Sequence, residues 1–132
     1  MSAHRFVFAL VIPLLVGACA DGDRAVADGP VTGPAAAVQG LCDAEAAAAA
    51  GDVEAASVAF ADRAHATLHQ VAADLQERDP ALAGRLLEAK QGVEAALAEG
   101  APAELVASRV AGLRGIFEAS LALSGSPVRG CR

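Results

Sequence analysis

The chain has 132 residues and a formal net charge of −6 at pH 7, and it contains neither Trp nor Tyr. It therefore lacks both the basic field and the aromatic stacking surfaces that nucleic-acid binding uses, and we expect no nucleic-acid partner. Hydrophobic residues make up 55% of the chain. Alanine dominates that fraction and buries little area per residue, which predicts a thin core and one small domain.

The N-terminal residues are typical of an export signal. His4 and Arg5 form a short basic start, and an apolar run over residues 6–16 is followed by small residues. This run is shorter than the ~20 residues that a membrane-spanning helix needs. Residues 1–18 are therefore predicted to be a signal peptide that is removed from the mature protein.

The end of the apolar run carries a second pattern. Residues 16–19 read Val-Gly-Ala-Cys, the order of an aliphatic residue, two small residues and a modified cysteine, so this segment resembles the lipobox of bacterial lipoproteins. The resemblance implies that Cys19 is diacylated, anchors the protein to a membrane and places it in the cell envelope outside the cytoplasm. Ala20 implies the outer membrane where the host has one. The alternative is an ordinary signal peptide with a chance cysteine.

Residues 19–41 carry Gly, Pro and Asp without an apolar period, which predicts a flexible tether between the lipid and a helical domain at residues 42–132. With Cys19 assigned to the lipid, Cys42 and Cys131 remain, one at each end of this domain. Disulfides form in the oxidising compartments to which exported proteins are sent. We therefore expect a Cys42–Cys131 bridge, with two free thiols as the alternative.

Apolar residues then recur at helical spacing, and no stretch has the alternation of a strand. Capping and breaking residues divide the domain into four predicted helices, over residues 44–50, 53–78, 80–99 and 102–123. Because the loops are short, neighbouring helices are expected to be antiparallel. The predicted fold class is all-α: a small antiparallel helical bundle with three main helices and a short N-terminal helix, closed by one disulfide.

The expected bridge constrains the topology. A straight helix over residues 44–78 would leave roughly 48 Å between Cys42 and the end of the last helix, whereas the tail over residues 124–131 extends at most about 26 Å. A chain that turns back at Gly51-Asp52 leaves only ~20 Å to close. The sequence therefore predicts this turn and the bridge together.

One cluster has the chemistry of metal binding. His65 and His69 are four residues apart on one predicted helix, and Asp62 lies one turn earlier. Histidines at this spacing can share a Zn²⁺ or Cu²⁺ ion. With Phe60 at 0° on a helical wheel, the apolar stripe centres near 40°, and the three candidate ligands fall at about 140° to 200°, on the boundary and outer face. The alternative is a solvated face with two histidines one turn apart by chance.

No motif for nucleophilic catalysis or phosphate binding is present, so we expect no enzyme. Glu94 is expected on a solvated helix face, with Lys90 available for a weak surface pair. Two functions remain. The first is an exported, lipid-anchored binding or accessory protein whose partner is an unknown envelope protein. The alternative is a metal-handling lipoprotein that uses His65 and His69.

Overall fold

The structure, a computed structural model, describes residues 32–128 and 130–131. The predicted signal peptide, the lipidation site Cys19 and residues 19–31 of the predicted tether lie outside this part of the chain. Within it, every regular element is helical, which confirms the predicted all-α class. None of these helices combines the length and the apolar character needed to cross a membrane.

The described residues form four helices, the second of which contains a π-helical segment. The elements are α1 (Pro34–Ala49), α2 (Val53–Ala59), the π segment (Phe60–Ala64), α3 (His65–Leu75), α4 (Pro80–Ala98) and α5 (Ala103–Leu123). Because α2, the π segment and α3 follow one another without a break, they form one continuous helix. It ends at Leu75, three residues before the predicted end at Arg78.

The turns between helices lie where the sequence predicts them. Asp52 caps α2 by accepting the backbone N–H of Ala55 at 2.9 Å, and Asp79 caps α4 by accepting that of Leu82 at 2.9 Å. Gly51 has a φ of 87°, a left-handed conformation that glycine adopts without a Cβ clash. The predicted turn at Gly51-Asp52 is confirmed.

The helices pack as a closed antiparallel bundle. α1 contacts α2 and the π segment on one side and α5 on the other, while α4 packs between α3 and α5. The core is narrow because alanine and valine line much of it. Its largest fully buried side chains are Leu41, Leu68, Leu75, Leu86, Leu113, Phe117 and Leu121.

The first helix is longer than the sequence predicts. It was expected over residues 44–50 after a tether, yet α1 begins at Pro34, so residues 34–41 belong to the folded domain. Val38 and Leu41 are buried in the core, and burial of these side chains stabilises a segment whose composition alone suits a linker. Gly33, with a φ of 104°, precedes the helix.

The Cys42–Cys131 disulfide is present, with an S–S distance of 2.05 Å, and its prediction is confirmed. Cys42 lies within α1 rather than at its start. After α5 the chain turns back, and Val128 packs against the core. An added Cβ on Gly130 would lie 3.3 Å from Glu118 Oε1 of α5, so the tail runs close beside this helix.

The π segment was not predicted, although its cause is visible in the sequence. Buried residues recur every four positions at Ala56, Phe60, Ala64 and Leu68, and each such step overshoots an α-helical turn by roughly 40°. The backbone N–H of His65 bonds to the carbonyl oxygen of Phe60, an i→i+5 bond that takes up one extra residue. The π turn thereby keeps one continuous face towards the core.

A polar contact joins α1 to α5. Arg114 Nε donates to Glu45 Oε2 at 3.0 Å, and its Nη1 donates to Glu118 Oε1 at 3.2 Å. The hydrogen bond to Glu45 raises the pKa of the Arg114 guanidinium, burial opposes that change, and Glu118 reinforces it. A raised pKa of a cation contributes stability at every pH below its ordinary value. The contact is therefore independent of pH across the physiological range.

We expect Arg114→Met to lower the free energy of unfolding by about 1 kcal/mol, because two charge-assisted hydrogen bonds are lost while the aliphatic packing is retained. Urea unfolding followed by circular dichroism measures the change. Arg85→Met is the matched control, since the exposed Arg85 makes no ion pair with the described residues, and its effect is expected to stay within about 0.5 kcal/mol. Equal losses for both variants would contradict this account.

Candidate functional site

The π segment determines where the predicted metal ligands lie. Because it takes up one residue, positions after it are rotated towards the core by about 100° relative to an uninterrupted α-helix. His65 is accordingly half-buried, and its ring meets that of Phe60 edge-on with centroids 6.1 Å apart. Asp62 lies within the π segment and is exposed. The rotation therefore turns the histidines towards α4 and leaves Asp62 on the outer side.

His65 and His69 remain neighbours after this rotation. Their ring centroids are 5.0 Å apart, and the ring planes are tilted by 54°. His69 is exposed, so solvent and small solutes reach the pair. The two histidines therefore lie side by side on α3.

Two side chains of α4 complete the cluster. Glu94 Oε1 lies 3.1 Å from His65 Nδ1 and 2.7 Å from Lys90 Nζ. Lys90 Nζ donates a hydrogen bond to Glu94 Oε1, and His65 Nδ1 lies within ion-pair distance of the same carboxylate oxygen. We refer to His65, His69, Glu94 and Lys90 as the histidine cluster.

The expectation of a surface pair at Lys90 is wrong, because Lys90 is only 4% exposed. Position 90 lies four residues after Leu86 and three before Val93, both of which are buried, so its aliphatic stem occupies the core face of α4. The length of the side chain carries the ammonium to the edge of the core, where it donates to Glu94. The spacing of Leu86 and Val93 was the signal in the sequence that pointed to this burial.

The contact to Glu94 determines which nitrogen of His65 is available. Glu94 Oε1 only accepts hydrogen bonds and lies 3.1 Å from Nδ1, so the neutral form of the ring is favoured with its proton on Nδ1 and its lone pair on Nε2. Metal-binding histidines in proteins almost always donate their other ring N–H to a carboxylate, a carbonyl or water. The structure therefore prepares His65 Nε2 to act as an electron-pair donor.

The three predicted metal ligands, Asp62, His65 and His69, do not form one cluster in the structure. Across residues 32–128 and 130–131, no three or more His, Cys, Asp or Glu side chains are arranged to hold a metal ion. The expected trio of Asp62, His65 and His69 is thus reduced to its two histidines. The physical reason is the π turn, which separates Asp62 from the face that His65 and His69 share.

Among the open grooves elsewhere on the described part of the bundle, two lie between neighbouring helices. The first runs between α1 and the α2–π segment and contains Val58, which is 55% exposed. Its charged lining consists of Asp43, Asp52, Glu54, Asp62 and Arg63. The second runs between α4 and α5, and its lining includes Arg85, Glu88, Gly92, Arg109 and Gly112.

Comparisons of the chain with models of protein families, with curated proteins and with solved structures found no match.

Proposed function

We propose that this protein is a binding or accessory protein of the bacterial cell envelope, anchored to the membrane on the extracytoplasmic side by lipid on Cys19. The observation that carries the proposal is the Cys42–Cys131 disulfide, which closes the helical domain. Disulfides persist in exported proteins and are rare in the reducing cytoplasm. The lipobox-like residues 16–19 precede this domain and supply the anchor.

The surface of the bundle supports binding as the role of the domain. Both grooves are open, and each is lined by charged side chains from two neighbouring helices. Polar groups around an accessible apolar side chain such as Val58 suit a contact with another protein. The proposed partner is a second protein of the envelope.

The anchor gives the first test. We expect mass spectrometry of the wild-type protein from the membrane fraction to identify an acylated Cys19 at the N-terminus. Cys19→Ser removes the only sulfur that the lipobox-like segment offers for acylation, so this variant is expected to be unmodified and to leave the membrane fraction. Fractionation followed by immunoblotting measures the redistribution.

Cys131→Ser is the matched control for this experiment, because it removes a different cysteine and leaves residues 16–19 intact. It is expected to remain in the membrane fraction with an acylated N-terminus. A Cys19→Ser variant that stays in the membrane fraction to the same extent as wild type would overturn the proposed anchor.

A further inference from the structure

We propose that His65 and His69 together bind one divalent transition-metal ion, with Cu²⁺ bound more tightly than Zn²⁺, and that Glu94 is the positioning residue for His65. The site is independent of the proposed lipid anchor, since all of its residues lie on α3 and α4. If Cys19 were not acylated, the proposed metal site would be unaffected. If the histidines bound no metal, the proposed envelope function would be unaffected.

The separation of the two rings suits a shared ion. A metal bound at a Zn–N distance of about 2.0–2.1 Å lies about 3 Å from the centre of each imidazole, once the radius of the ring is added. Two such rings at a tetrahedral angle have centres about 5 Å apart. The ring centroids of His65 and His69 are 5.0 Å apart, which matches this separation.

Glu94 supplies the orientation that a ligating histidine needs. Its Oε1 lies 3.1 Å from His65 Nδ1, and a carboxylate oxygen at this distance favours the tautomer with the proton on Nδ1, which leaves Nε2 as the donor atom. Lys90 holds Glu94 in turn through a contact of 2.7 Å, with its own stem buried in the core. Contacts therefore run from the core through Lys90 and Glu94 to the imidazole of His65.

The ligand set determines the class of metal. Two neutral imidazoles suit copper and zinc, and for a given set of nitrogen ligands Cu²⁺ is bound more tightly than Zn²⁺. Because the protein offers two ligands and His69 is exposed, water or an external ligand completes the coordination. Such a site suits an exchangeable ion rather than a structural one.

The test is a calorimetric titration of the purified mature protein with Cu²⁺ and, separately, with Zn²⁺. We expect His65→Ala/His69→Ala to abolish the binding event that wild type shows. Glu94→Gln retains a hydrogen-bond acceptor for Lys90 but removes the charge, and it is expected to weaken binding about 10-fold. Thermal unfolding by circular dichroism of each variant shows that the fold is retained.

Asp62→Asn is the matched control, since the sequence alone places Asp62 among the ligands and the structure leaves it outside. Its affinity is expected to equal that of wild type. Electron paramagnetic resonance of bound Cu²⁺ provides a readout that stability does not affect: nitrogen coupling from two imidazoles is expected in wild type, with altered values in Glu94→Gln. Equal binding by wild type and the double histidine variant would overturn the site. The proposed role of Glu94 would be wrong if Glu94→Gln bound the metal as tightly as wild type while Asp62→Asn bound it more weakly.

Discussion

Reduction of the Cys42–Cys131 disulfide is expected to lower the free energy of unfolding by about 4–5 kcal/mol. The two cysteines are 89 residues apart in the sequence, and a cross-link that closes a long loop removes much of the conformational entropy of the unfolded chain. A domain of this size has a total stability of about 5–15 kcal/mol. Loss of the bridge therefore removes a large share of the stability, and the reduced protein is expected to unfold at a far lower denaturant concentration.

Urea unfolding with and without a reducing agent measures this effect, with thiol titration to show that reduction is complete. Cys131→Ser separates the cross-link from core packing, because Cys131 is exposed whereas Cys42 is buried in α1. Its stability is expected to match that of the reduced wild-type protein. An unfolding midpoint that does not change on complete reduction would contradict the prediction.

The boundaries of most helices could be predicted because they depend on local chemistry. Asp52 and Asp79 each cap a helix, because the side chain accepts a hydrogen bond from the backbone N–H three residues later in the sequence. Gly51 supplies the positive φ that the first turn requires. The disulfide was predicted from the reach of the chain and from the expected export of the protein rather than from any contact, and this is why it could be predicted together with the turn.

The start of α1 could not be predicted in the same way. Residues 34–41 contain Pro, Gly and Ala, which is the composition of a linker as well as of a closely packed helix. What decides between them is tertiary: Val38 and Leu41 are buried in a core that the other helices build. Local propensity contains no information about that core.

The histidine cluster was predicted in part for a similar reason. The spacing of His65 and His69 is a local property, so their shared face could be expected. The contact of His65 with Glu94 joins α3 to α4, and the sequence does not show which residues of two helices meet. The π segment then moves Asp62 away, and a helical wheel drawn with a uniform 100° per residue cannot include such a change of register.

The π segment also explains the second large effect that we expect, from Gly40→Ala. Gly40 lies in α1 where this helix meets the π segment, and an added Cβ would lie 2.5 Å from the Cβ of Arg63 and 3.2 Å from the carbonyl oxygen of Ala59. Neither atom can move by rotation of a side chain, so the backbones must separate. We expect the free energy of unfolding to fall by about 1–3 kcal/mol, even though alanine favours a helix over glycine by about 1 kcal/mol.

Gly84→Ala is the matched control for this substitution, because Gly84 is an exposed glycine of α4 with no atom within 4 Å of an added Cβ. Here only the helix propensity changes, and the variant is expected to be more stable than wild type by about 0.5–1 kcal/mol. Urea unfolding of both variants measures the change in the free energy of unfolding, which is expected to be negative for Gly40→Ala and positive for Gly84→Ala. If Gly40→Ala stabilised the protein as Gly84→Ala does, α1 and the π segment would not be in close contact, and the packing that we invoke to explain the register of His65 would be wrong.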